Sequence, residues 1–193
     1  VAGRRRESFA EKRERRAAVD DPAAVLEAAA RFLEARARSI GEVRRRLTSA
    51  GYQADLVEGA IARLGELGML DDEAFAKAWV ESRDRARPRG ERALADELRL
   101  RGVDRAVIVA ALDERREASA AAAESDDDEI APSADEAAAT RLLERNSRLL
   151  ARVADPRARR QRAYALLARN GFDPGVCAAL AARVVEAPEA DAD

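Results

Sequence analysis

The chain has 193 residues, is 47% hydrophobic but only 4% aromatic, is 37% charged, and carries a formal net charge of −2 with no histidine. Without histidine it lacks the commonest general base, the usual nucleophile triads and most zinc sites. Its one cysteine, Cys177, leaves no intrachain disulfide, and no apolar run approaches the ~20 residues of a membrane helix.

Residues 1–21 are charged and poor in apolar side chains, so a disordered tail or a frayed helix is expected. Arg4-Arg5-Arg6 followed by Glu7 lacks the apolar middle of a signal peptide, which with the lone cysteine points to a cytoplasmic protein in a reducing compartment. From Pro22 the helical spacing of Val25, Leu26, Ala29, Phe32 and Leu33 predicts a helix over about 23–37. Ser39-Ile40-Gly41-Glu42 is a capping-box sequence that starts a second helix burying Val43 and Leu47. Gly51 ends that helix, and a third over about 54–67 turns Leu56, Val57, Ile61 and Leu64 inward before Gly68. Gln53, just ahead of it, is a poor cap.

The same grammar returns twice. Asp71 or Asp72 caps a helix with Phe75, Trp79 and Val80 inward, and Pro88-Arg89-Gly90 breaks it. The next helix buries Leu94 and Leu98 and ends at Gly102, after which Asp104 opens a helix with Val107, Ile108, Ala111 and Leu112. Further on, Leu142, Leu143, Leu149 and Leu150 suggest one helix, and Asp155-Pro156 starts another that ends at Gly171. Asp173-Pro174 caps the last, which contains Cys177 as a small core residue rather than a reactive thiol.

Gly51, Gly102 and Gly171 each have Leu four residues before and an apolar residue directly after. Their spacings are 51 and 69 residues, and the excess of 18 matches an acidic, Ala/Ser-rich stretch. The expected organisation is three repeats over 22–70, 71–117 and 135–186, with an acidic linker over 118–134 and an acidic tail over 187–193. Such a period predicts an all-α, elongated and curved tandem array of three three-helix repeats rather than one globular core.

Charge is segregated along this array. Residues 1–19 sum to +4, 117–136 to −8, 137–185 to +7 and 186–193 to −4. Local charge governs association, so the basic body matters more than the total. Arg83 and Arg87 lie four apart on one helix, close to Arg85, Arg89 and Arg92. Arg44, Arg45 and Arg46 open the second helix of the first repeat, and Arg157, Arg159, Arg160 and Arg162 fill its equivalent in the third. Any one of them can be a solvated helix face paired with a carboxylate; together they suit phosphates or an acidic protein groove. Aromatic residues are too few for a base-stacking platform. Asp71-Asp72-Glu73 is read as a helix cap rather than a metal site, and Asp126-Asp127-Asp128-Glu129 lacks the glycine and ligand alternation of a calcium loop. No phosphate-binding glycine motif is present, and no cofactor or metal is expected.

Gly68-Met69-Leu70-Asp71-Asp72-Glu73-Ala74-Phe75-Ala76, Trp79-Val80-Glu81-Ser82-Arg83, Arg89-Gly90, and Leu94 through Glu97-Leu98 to Arg101-Gly102-Val103 resemble the central signature of the RecX family. Ser39-Ile40-Gly41-Glu42 to Leu47 and Gly51-Tyr52 extend the resemblance, which covers about residues 23–117 and reaches the third repeat more loosely. The N-terminal tail and the acidic insert depart from the family pattern. The resemblance implies three tandem three-helix units and a non-enzymatic regulator that binds along the RecA–DNA filament. It also implies inhibition of strand exchange, ATPase and co-protease activities, and so a role in DNA repair and the SOS response. Charge and spacing, rather than the family, single out Arg83, Arg87, Arg89 and Arg92 with Arg157, Arg159 and Arg160 as contacts to acidic filament surface or phosphate. The expected partners are the RecA filament and single- or double-stranded DNA, with no membrane and a monomeric state. The alternative is a helical protein that binds nucleic acid independently of RecA.

Overall fold

The computed structural model describes residues 7–123 and 132–186, which are helix and loop with no strand. The chain divides into two compact units. One runs up to Phe75 and includes Arg101–Asp104; the other comprises Ala76–Leu100 and Arg105 onward.

In the first unit, α1 (Phe9–Ala17) precedes α2 (Pro22–Leu33), α3 (Ile40–Ala50) and α4 (Ala54–Glu66). Val25 and Ala29 of α2, Val43 and Leu47 of α3, and Val57, Ile61 and Leu64 of α4 make one core. α2 stops at Leu33, short of the expected 37: 34–37 are exposed, so no core contact holds them helical despite their helix-favouring Glu, Ala and Arg. Ser39 and Glu42 form the reciprocal capping box: Ser39 Oγ accepts from Glu42 N at 3.1 Å, and the Glu42 carboxylate accepts from Ser39 N at 3.3 Å. Asp71 caps α5 (Asp72–Ala86) by accepting from Glu73 N and Ala74 N at 2.8 and 3.1 Å. Asp72 instead accepts from Ile40 N at 2.8 Å, at the start of α3.

The helix ends explain the repeated Leu-to-Gly spacing. Gly51 has φ 105°, and beyond it Tyr52 N donates to Leu47 O. Gly171 has φ 81°, and Phe172 N donates to Leu167 O. In both, the leucine four residues before the glycine accepts the bond that closes a Schellman end, and glycine takes the left-handed conformation without steric cost. Gly68 repeats this a further time, with Met69 N donating to Leu64 O.

The second unit contains most of α5 and of α6 (Glu91–Arg101), then α7 (Arg105–Ala123), α8 (Ala134–Arg145), α9 (Ser147–Ala151), α10 (Pro156–Arg169) and α11 (Pro174–Glu186). Leu94 and Leu98 of α6 are fully buried, so truncating either to Ala would cost about 2–5 kcal/mol. A second core joins Ala138, Ala139 and Leu143 of α8 to Ala163 and Leu167 of α10 and to Cys177, Leu180 and Ala181 of α11. α7 continues to Ala123, past the expected boundary at 117, because 118–123 are Ala and Ser without acidic residues and prolong the helix. The acidic part of the expected linker, 124–131 with Asp126-Asp127-Asp128-Glu129, lies outside the described residues, as do Arg4-Arg5-Arg6 and the expected tail over 187–193. Pro132 and Ser133 lead into α8, where Ser133 and Glu136 form another capping box. Asn146 separates α8 from the five-residue α9, where the leucine spacing predicts one helix.

One joint occurs twice. At the start of α3, the N-cap hydroxyl of Ser39 donates to Arg101 O at 2.7 Å, the residue before Gly102. At the start of α6, the N-cap amide of Gly90 donates to Asn170 O at 3.0 Å, the residue before Gly171. Close approach makes both possible: a Cβ on Gly41 would lie 2.7 Å from Arg101 O, and one on Gly90 2.3 Å from Gly171 O. α1 lies against the corresponding glycine of α3, with the Arg13 side chain over Gly51. Gln53 forms no side-chain cap on α4. Its amide donates to Ala17 O and Val19 O at 3.2 and 3.1 Å, tying down the end of α1. Residues 9–17 form a helix, none of whose residues is buried, within the charged segment expected to be a tail or frayed helix.

Candidate partner-binding surface

The seven candidate arginines separate by their surroundings. Arg83 and Arg89 are half-buried around Glu97 of α6. Arg83 Nε donates to Glu97 Oε2 at 2.6 Å, Trp79 Nε1 donates to the same oxygen at 2.9 Å, and the Arg83 guanidinium stacks 4.2 Å from the Trp79 ring centroid. Arg89 lies 3.5 Å from Glu97 Oε1 and donates to Asn170 Oδ1 at 2.6 Å. These two cations bind α5, α6 and the end of α10 together. Arg159 is also engaged, its Nε donating to Val153 O at 3.0 Å in the loop before α10.

Arg87, Arg92, Arg157 and Arg160 are exposed, and none forms an ion pair with a described residue. In the first repeat, Arg44 makes a bidentate pair with Glu58 at 2.6 and 2.7 Å, and Arg45 donates to Arg101 O. Arg46 is exposed, 5.7 Å from the Phe32 ring centroid.

The best-buried cation is one that sequence reasoning missed. Arg115 of α7 is 5% exposed, and its guanidinium makes a bidentate contact with Asp84 of α5 at 2.8 and 3.0 Å and a third bond to Asp135 of α8 at 2.7 Å. Its Nη2 also donates to Ala134 O at 3.2 Å. The signal was present: Ile108, Ala111, Leu112 and Arg115 share one helical face, so a charge continues an apolar stripe. Asp135 has a second role, accepting from Glu91 N at the first turn of α6.

Carboxylate and thiol chemistry is committed locally. Asp71 and Asp72 hold backbone amides, as above, and among the described residues no group of three metal-ligating side chains is gathered. Cys177 is fully buried against Phe172 O at 3.6 Å, and burial pushes its thiol pKa up, away from the reactive thiolate. No helix among the described residues is long and apolar enough to cross a membrane.

The described residues thus define an all-α protein with exposed arginines that pair with no described carboxylate. Sequence profiles of the first and second three-helix domains of RecX match residues 26–64 and 71–112. The chain belongs to the RecX family. It is 36% identical over 140 residues to Regulatory protein RecX of Thermobifida fusca (strain YX), covering 72% of this chain and 66% of that relative. It is 48% identical over 82 residues to Regulatory protein RecX of Mycobacterium sp. (strain JLS), covering 42% and 45%. The matched region is thus just under two thirds of the first relative's length and less than half of the second's. The fold is that of a crystal structure of regulatory protein RecX, with TM-score 0.65 and 19% identity over 80% of this chain and 70% of that one. It also matches the crystal structure of RecX from Lactobacillus salivarius, with TM-score 0.64 and 18% identity over 86% and 97%.

Proposed function

We propose that this chain is a non-enzymatic regulator that binds the RecA–DNA filament and lowers its recombinase, ATPase and co-protease output, and so modulates DNA repair and the SOS response. The observation that carries this reading is the succession of both RecX three-helix domains in one chain, which is also 36% identical over 140 residues to a relative named Regulatory protein RecX. The chain works in the cytoplasm as a monomer and needs no cofactor. Contact falls to the exposed Arg87, Arg92, Arg157 and Arg160, which pair with no carboxylate among the described residues and can meet phosphate or acidic filament surface. Arg83, Arg89 and Arg159 support that surface by holding the helices that present it.

The decisive measurement is RecA-dependent ATP hydrolysis on single-stranded DNA with this protein titrated in. A progressive fall in rate is expected, and an unchanged rate at saturation overturns the reading. The +7 charge of residues 137–185 favours a second reading, nucleic-acid binding without RecA. Tight, salt-sensitive binding to DNA alone, unaltered by RecA, would select it.

A further inference from the structure

We propose that a groove between α9 and α10 binds an acidic peptide segment of a partner protein through carboxylates and one aliphatic anchor. The groove encloses about 360 Å³. Its apolar part is formed by Leu149 and Leu150 of α9 and Leu166 of α10, and its basic part by Arg152, Arg162 and Arg169. On α10 the order Arg162, Leu166, Arg169 follows helical spacing, which sets the leucine between two guanidiniums on one face.

Two observations make this a surface for a ligand rather than a solvated flank. Leu149 is 58% exposed beside the buried Leu150, so an aliphatic side chain stands in water where the neighbouring leucine is in the core. The three arginines are uncompensated among the described residues, in contrast to Arg83, Arg89 and Arg115. Residues 137–185 contain only Glu144, Asp155 and Asp173 as acids, and both aspartates are occupied as helix caps.

Charge complementarity selects an acidic occupant, and the leucines select its class. A sugar-phosphate backbone would use the guanidiniums but leave Leu149 and Leu166 in water, and no aromatic side chain lines the groove to stack a base. A peptide with Asp or Glu flanking a leucine or isoleucine satisfies both parts. Its carboxylates take the planar guanidiniums in bidentate fashion, and its aliphatic residue covers Leu149 and Leu166. None of the groove's arginines is among the filament contacts proposed above, and the inference does not rest on that reading.

The test uses the full chain without RecA or DNA. A short fluorescein-labelled peptide in which aspartates and glutamates flank two leucines is titrated and followed by anisotropy. Saturable binding is expected, and both the double variant R162E/R169E and L149S are expected to weaken it by about tenfold. Leu149 is mostly exposed, so L149S retains the fold, and circular dichroism checks this for both variants. Absence of peptide binding overturns the proposal. So does equal binding of a peptide with serines in place of the leucines, or an L149S variant that binds as the parent does. Complete displacement of the peptide by oligo-dT together with an inert L149S identifies a polyanion surface instead and likewise overturns it.

Discussion

A guanidinium that is 5% exposed is tolerated at position 115 because oxygen meets it on several sides. Asp84 takes one edge, Asp135 another, and Ala134 O a third direction. Removing one partner of such a cluster leaves the rest desolvated without compensation, so Arg115→Ala is expected to destabilise the chain by about 3–5 kcal/mol in urea unfolding. Mutation of the exposed Arg87 or Arg92 to Ala is expected to change stability by less than about 0.5 kcal/mol in the same assay. Glu42 adds a pH dependence. Burial raises its pKa, but hydrogen bonds from Arg36 and Ser39 N and the charges of Arg36 and Arg101 outweigh this and hold it below the ordinary value of 4.5. A carboxyl with a lowered folded pKa stabilises above its unfolded pKa and loses that contribution as pH falls through the folded one. Stability should therefore drop as pH falls below about 4.5, and the dependence should be shallower in Glu42→Gln.

At the level of the helix, glycine has opposite meanings at different places. Gly90 starts α6 against the backbone of Gly171 and Phe172, where an added Cβ would come within 2.3 to 2.5 Å of backbone atoms. Gly59 lies in the exposed interior of α4 with nothing within 4 Å of the same atom. Gly90→Ala is expected to lower stability by about 1–3 kcal/mol through overpacking. Gly59→Ala is expected to raise it by about 0.5–1 kcal/mol through helix propensity and a less flexible unfolded chain. Thermal unfolding of the two variants should give Tm shifts of opposite sign. Much of this level is legible in sequence: the Ser39 box, the Asp71, Asp155 and Asp173 caps, and the glycine ends at 51 and 171. The end of α7 is not, because the acidic stretch marks a linker while its leading Ala and Ser residues still favour helix. Nor is α1, whose place depends on Gln53 reaching back to Ala17 O and Val19 O.

For the molecule as a whole, the division of the arginines gives the proposed function its sharpest test. Arg87→Glu combined with Arg92→Glu should weaken inhibition of RecA-dependent ATP hydrolysis by about tenfold while leaving the unfolding midpoint close to that of the parent chain. Arg83→Glu should instead place a carboxylate beside Glu97 and the Trp79 ring and lower the midpoint, so that any loss of inhibition follows loss of fold. If the paired variant inhibits as the parent does, Arg87 and Arg92 are not the contact.

The all-α class, the starts and ends of most helices and the RecX resemblance can all be read along the chain alone. Those features depend on caps, periodicities and glycine ends that act within about one or two turns of the chain. Which arginines are structural and which face solvent is settled by packing. Arg83 and Glu97 are 14 residues apart, Arg115 and Asp84 31, and Arg89 and Asn170 81. An arginine reads the same in sequence whether it meets water or a carboxylate, and its partner is chosen by the packing of helices that bring distant side chains within hydrogen-bond reach.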